Sequence, residues 1–260
     1  MVTIQNTKEG ESKQIAVVVL TKNSAKTIAQ CLDAVKRNID TPKLVVIDDS
    51  DDRGKTLRIA SKYTDQIHMF SGNIGEKRDY AIDMVVAPVF AFVDSDIIVN
   101  RAAFLRSMEI LRSSESIAAV HNRCRSIDPR VSFGKETKQN LTFGFALLRT
   151  AALKESRIPH QPRGEDAATG MRLQRSGYRV AWQGEFACSH LKTLVDTYIH
   201  YFRYGKGGHH GGNPAFIIRR LIKQRNMKTL VLQLFLLAGY TDFRLRRFRA
   251  SSSRGSVGME

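Results

Sequence analysis

Two short acidic clusters in this chain have the residue types and spacing to hold a cation and a polar ligand. Asp94-Ser95-Asp96 closes the apolar run Val89-Phe90-Ala91-Phe92-Val93, and Asp48-Asp49 closes Leu44-Val45-Val46-Ile47. Carboxylates gathered in one place repel each other unless something positive sits between them. Two of them spaced i, i+2 at a turn can both reach one divalent cation. Mg²⁺ or Mn²⁺ held this way usually also binds substrate phosphates. A carboxylate at a strand end can equally accept a hydrogen bond from a ribose hydroxyl or a base N–H. Each cluster alone also reads as a solvated turn.

Two more groups carry charge at the starts of predicted helices. Asn73-Ile74-Gly75-Glu76-Lys77-Arg78-Asp79 sets a glycine-containing turn and two cations at a helix opening. Backbone N–H groups and an Arg fork there can meet a diphosphate. Gly164-Glu165-Asp166 opens another helix. Its N-terminal dipole is expected to favour an ionised carboxylate, which keeps a general base deprotonated and also weakens it.

The elements that must position these groups alternate. Ile15–Leu20, Leu44–Ile47, Gln66–Phe70 and Val89–Val93 read as buried strands. Between them, helical spacing runs from about Ser24, with Asn23 or Ser24 as cap, over Leu57–Tyr63 and over Glu76–Val86; a further helix is capped by Asn100. This βαβαβαβ order predicts an α/β fold with a mostly parallel sheet. In the second half, Ile117–His121, Phe143–Leu148 and Tyr178–Trp182 read as strands, Glu165–Arg175 as a helix ended by Gly177, and Arg123–Lys138 as a polar loop.

The net charge is +16, but from Tyr201 onward 12 Lys/Arg stand against 2 Asp/Glu, so the first 200 residues carry only +6. The three cysteines, Cys31, Cys124 and Cys188, form no CxxC pair, which argues against a disulfide framework or structural zinc and for a reducing compartment. Residues 1–14 are polar and have no apolar signal-peptide core. The most apolar late stretch, Thr229–Tyr240, is short of the ~20 residues that span a bilayer. Arg244, Arg246, Arg247 and Arg249 follow it, the pattern of a helix lying on an anionic membrane or packed on protein. The organisation expected is a polar extension (1–14), a catalytic domain (15–200), a basic amphipathic segment (201–249) and a Ser/Gly-rich disordered tail (250–260).

In order along the chain, VVVLTKNSAKTIAQCLDAV (17–35), LVVIDDSDD (44–52), GNIGEKRDYAI (72–82), VFAFVDSDIIV (89–99) and GEDAATGMRLQRSGYRVAW (164–182) resemble the motifs of family-2 glycosyltransferases of the GT-A fold. The resemblance covers about residues 14–192. It implies a Rossmann-like central sheet flanked by helices, and transfer of a sugar from a UDP- or GDP-linked donor with Mn²⁺ or Mg²⁺. By that resemblance Thr21 and Asn23 edge the nucleotide pocket. Asp49 contacts base or ribose, with Asp48 supporting it, and Arg78 lies near the diphosphate. Asp94 and Asp96 are the DxD pair, Asp96 the direct metal ligand and Asp94 facing both metal and donor. Asp166 resembles the base that deprotonates the acceptor hydroxyl in a single, inverting displacement. His190 stands where many members carry a further metal or diphosphate ligand.

Two positions depart from the pattern. Ile97 and Ile98 follow Asp96 where a third acid is often found, and Asp79 replaces a frequent Asn. Tyr201–His210 resembles an aromatic/Arg-Gly stretch that could close over acceptor or product. The implied acceptor is a glycan or a lipid-linked group, and the implied location is cytoplasmic, peripheral at the membrane face, with a homo-oligomer left open. Two other readings stand beside this one. A GT-A-like nucleotidyltransferase would use the same metal and carboxylates. A nucleic-acid-binding protein would use the basic charge, though that charge is concentrated in the tail and no recognition motif accompanies it.

Overall fold

Ile15–Thr21 (β1) is buried at all seven positions, as a strand covered on both faces must be. Its odd residues, with Val46 and Ala91, enter one core layer. Its even residues, with Val45 and Phe92, enter the other. In the computed structural model, which describes residues 15–40, 43–131, 140–206, 231, 234–239 and 241–242, the sheet order is β3-β2-β1-β4-β7-β6-β8-β5. The remaining strands are Lys43–Asp48 (β2), Ile67–Met69 (β3), Val89–Asp94 (β4), Ile97–Ile98 (β5), Ile117–Ser126 (β6), Phe145–Arg149 (β7) and Arg179–His190 (β8). The helices are Ile28–Asn38 (α1), Lys55–Ala60 (α2), Ile74–Met84 (α3), Arg101–Arg112 (α4), Thr150–Ser156 (α5), Glu165–Arg175 (α6) and Leu194–Lys206 (α7).

The first four strands are parallel, with Thr21 opposite Asp48 and Leu20 opposite Asp94. That register brings both acidic clusters to one edge of the sheet. β7 runs antiparallel to β4, so the chain entering β7 passes that edge too, and Asp94 N donates to Gly144 O at 2.9 Å. β5 pairs antiparallel with β8, Ile97 opposite His190, which returns the end of β8 to the same place.

The expected strands and the α/β architecture are present, with several differences. β6 and β8 pair in parallel past Asn122, through an irregularity, so β6 runs to Ser126 into the expected polar loop and β8 runs eight residues beyond Trp182. The β6 extension alternates exposed and half-buried residues, but the β8 extension does not, because the register shift changes which face each residue meets. α5 carries no sequence signal of its own. α1 starts at Ile28 with Thr27 as its cap residue. Neither Asn23 nor Ser24 caps it: Asn23 takes a left-handed backbone (φ 55°) and pairs with the β2–α2 loop instead. α3 does have a full capping box, Asn73 with Glu76.

The chain divides into two compact units: Met1–Ile127 with Ser132–Leu191, and Asp128–Val131 with Lys192–Glu260. In the second unit Asp128 accepts from Leu194 N at 3.0 Å and is clamped by Arg130. Tyr198 and Phe235 stack with centroids 5.1 Å apart. Among the described residues no helix is long and apolar enough to cross a membrane. The expected extension 1–14, nearly all of the Gly/His-rich patch 205–212, the four arginines after residue 243 and the tail 250–260 lie outside the described residues.

Candidate active site

At the end of β2, Asp48 is buried to 1% and its Oδ1 accepts from Thr21 Oγ1 (2.5 Å) and Ser50 Oγ (2.6 Å). Its Oδ2 is buried with no hydrogen-bond partner. A buried acceptor left so is costly, and a ligand O–H or N–H would satisfy it. Asp49 points the other way in charge terms: its Oδ2 lies 2.9 Å from Lys22 Nζ and 3.0 Å from Lys77 Nζ. Burial pushes this carboxyl up, but the two lysines outweigh it and hold it below the usual range. Asn23 is fixed beside them, donating to Asp51 from Nδ2 and accepting from Asp51 N. Thr21, Asn23, Asp48 and Asp49 therefore share one rim of the sheet, as expected. Lys22 and Lys77 were not foreseen there.

Three consecutive ionisable residues in the first turns of α3, Lys77, Arg78 and Asp79, are all buried to 6% or less. Lys77 and Arg78 are therefore not a solvated helix face. Each reaches a different part of the site. Lys77 reaches β2. Arg78 bridges two carboxylates, Nη1 to Glu165 Oε1 and Nη2 to Asp94 Oδ1 (2.9 Å). Its guanidinium lies 4.8 Å from the Phe143 ring and 5.8 Å from Phe92. Asp79 accepts from Arg157 Nη2 (2.8 Å) and Ile158 N (2.9 Å) and pairs with His160 Nε2 (2.9 Å). Burial raises its carboxyl, but His160, the Ile158 amide and Arg157 hold it below the ordinary range. Asp79, the departure from the family pattern, thus clasps the segment that leads into α6. Gly75 permits the close approach: a Cβ there would sit 2.1 Å from Pro159 O.

That segment delivers Gly164, left-handed at φ 67°, and then Glu165 and Asp166. Asp166 Oδ1 accepts from Ala167 N at 2.8 Å. The helix N-terminus was expected to favour the ionised form, and the net result is the opposite. Burial raises the Asp166 carboxyl and exceeds what the Ala167 amide and Arg78 do to lower it. The group is a stronger base than a helix start alone would leave it.

Asp96 stands 3.6 Å from His190 (Oδ1 to Nε2), and Asp96 O accepts from Leu191 N at 2.8 Å. Asp94 turns to Arg78 instead. Among the described residues no three His, Cys, Asp or Glu side chains converge as a ready cage. Mg²⁺ and Mn²⁺ do not need one, since one or two carboxylates plus phosphate oxygens and water commonly suffice. The donor set of Asp96 with His190, and Asp94 nearby, fits such a cation. Gly144 lines the same place: a Cβ there would be in van der Waals contact with Asp94 Oδ2 (3.7 Å) and Cys124 Sγ (3.6 Å). Below the pair, burial and then the fields of Asp96 and Asp94 push the Cys31 thiol far up. That negative potential is what a cation would answer.

A family model described as Glycosyl transferase family 2 matches residues 16–163. Among curated protein sequences none matches this chain. Several solved structures share the fold. A mannosyltransferase, PcManGT from Pyrobaculum calidifontis in complex with GDP-Man and Mn²⁺, superposes with TM-score 0.60 at 14% identity, over 95% of this chain and 76% of that one. S. aureus TarS 1-349 in complex with UDP-GlcNAc gives 0.58 at 19% identity, over 88% and 73%. Glucosyl-3-phosphoglycerate synthase from Mycobacterium tuberculosis, with Mg²⁺ and UDP, gives 0.56 at 17% identity, over 72% and 76%.

Proposed function

The chain belongs to glycosyl transferase family 2, and from that premise we propose a metal-dependent, inverting glycosyltransferase with Asp166 as base and a UDP- or GDP-linked sugar as donor. The supporting observation is Arg78, which ties Asp94 of the DxD cluster to Glu165, the neighbour of Asp166. One guanidinium thereby couples the donor edge of the sheet to the helix that carries the base.

On this reading Asp166 takes the proton of the acceptor hydroxyl as its oxygen attacks the anomeric carbon. The bond from that carbon to the diphosphate oxygen breaks, the nucleoside diphosphate leaves, and the anomeric configuration inverts. Thr21, Asn23, Asp48 and Asp49 hold the nucleoside, the unpartnered Asp48 Oδ2 accepting from it. Arg78 faces the diphosphate. Asp96, with His190 and Asp94, would hold a divalent cation, which when bound supplies charge neutralisation for the leaving group. The acceptor is a hydroxyl or phosphate of a glycan or lipid-linked molecule.

A thermal-shift panel of UDP- and GDP-sugars with Mn²⁺ or Mg²⁺ tests the donor. A donor at 100 times its Kd should stabilise by about 2.7 kcal/mol. Flat melting curves across the panel would remove the reading.

The second unit adds a peripheral contact with anionic membrane. Val195 and Ile199, one helical turn apart on α7, are exposed, as are Leu234 and Phe235. The residues from Tyr201 onward carry +10. Apolar side chains beside strong positive charge suit an anionic lipid surface. Vesicles rich in anionic lipid should co-sediment the full chain, and deletion of 213–260 should release it. Equal partitioning of the two forms would count against this.

A further inference from the structure

We infer that Glu165 is a positioning residue for the donor site: it anchors the Arg78 guanidinium from behind, so that this cation does not close over Asp94. The inference rests on the glycosyltransferase reading above, and it assigns work to a residue which that reading leaves without any.

The two carboxylates on Arg78 are not equivalent. The Glu165 and Arg78 side chains are each 6% exposed, while Asp94 is 39% exposed. The buried pair is the permanent one, and the outward contact with Asp94 is the one a ligand can replace. A guanidinium binds best in its own plane, where its N–H groups form a fixed fork. Here Phe143 and Phe92 lie within cation–π range, Nη1 is engaged by Glu165, and Nη2 is offered to the site. Without Glu165 the positive charge would keep its aromatic slot but lose its rear partner, and it would turn both nitrogens onto Asp94. Asp94 would then be neutralised from within the protein, and less of it would be left for a cation and diphosphate. Glu165 itself is held by its helix: Thr169 Oγ1 donates to Glu165 O at 2.6 Å, a bond that side-chain replacement does not touch.

The test is calorimetric titration of the full chain with UDP and with GDP in the presence of Mn²⁺, for wild type, Glu165→Ala, Glu165→Gln, Arg78→Ala and Arg78→Ala/Glu165→Ala, each checked by thermal melt. Glu165→Ala should weaken Mn²⁺-dependent nucleotide binding by about tenfold or more, and Glu165→Gln by about threefold at most, because its amide oxygen still accepts from Nη1. In the Arg78→Ala background the Glu165 change should add nothing, since the pair acts as a unit. Unchanged binding in Glu165→Ala, or an equal loss with and without Arg78, overturns the inference. If Glu165→Ala melts below the assay temperature, Glu165→Gln decides by the same cycle: any loss must vanish when Arg78 is absent. Should wild type bind neither nucleotide with Mn²⁺, the donor-site reading itself falls and takes this inference with it.

Discussion

Asp166→Asn should lower sugar transfer by about 10³-fold while leaving the melting temperature at pH 7 unchanged or higher. The two effects have one cause. Burial raises the Asp166 carboxyl above its ordinary value, against the Ala167 amide and Arg78. An acid whose folded-state pKa is raised costs stability wherever the unfolded chain would be ionised, that is, above the ordinary carboxylate value of about 4. Below that value both states are protonated and the cost disappears. Asparagine has no charge to desolvate and can still accept from the Ala167 amide, so the stability difference between variant and wild type should grow above about pH 4 and shrink below it. For wild-type turnover the sign runs the other way. The base must be ionised to work, so activity falls as pH drops through a value above the ordinary carboxylate range. Single-turnover rates and melts at matched pH check both halves. A variant that keeps near-wild-type transfer would remove Asp166 from the role of base, whatever its melting temperature.

The motifs at the sheet edge were legible in the sequence because β1, β2 and β4 announce themselves as apolar runs. A parallel register then places the residues that end them side by side. One helix start was legible where Asn100 marks it, whereas α3 begins at Ile74, two residues before the expected Glu76, behind an Asn73–Glu76 capping box that was not read. What stayed hidden is what depends on the third dimension. Lys77, Arg78 and Asp79 look like a polar helix face because a helical wheel shows only one element. Their burial comes from β2, β4, α6 and the 157–160 segment converging on one turn of α3. Similarly, the dipole argument for Asp166 was sound for an exposed helix start and lost to desolvation at a half-buried one. Asp79 could have been flagged: an acid in place of a frequent amide needs a partner, and Arg157 and His160 supply two. The length of β8 could not, since the register shift near Asn122 erases the alternation that would have signalled it.

Convergence on α3 also changes how the carboxylates at the site should be counted. Asp49 is paired with Lys22 and Lys77, whereas Asp94 and Glu165 share the single charge of Arg78. Asp96 faces His190 at 3.6 Å (Oδ1 to Nε2), a group that carries charge only when protonated. On the proposed reading a divalent cation would be held there, with Asp96 as its ligand and diphosphate oxygens and water completing the set.

Asp96→Ala should therefore abolish the Mn²⁺-dependent part of UDP or GDP binding and cut transfer by about 10²–10³-fold. The fold should survive, because Asp96 O accepts from Leu191 N through the backbone, and alanine keeps that bond. The same change should ease the Cys31 thiol downward, since the Asp96 field is second only to burial in raising it. Loss of that field can be read without any substrate. His190→Ala should weaken metal-dependent binding less, by about tenfold, the scale typical of a supporting partner. Chelation separates the cases further. EDTA should silence the wild type and leave the residual rate of Asp96→Ala unchanged. Mn²⁺-dependent nucleotide binding at wild-type strength in Asp96→Ala would show that the cation is held elsewhere, and the assignment of this strand end as the metal site would be wrong.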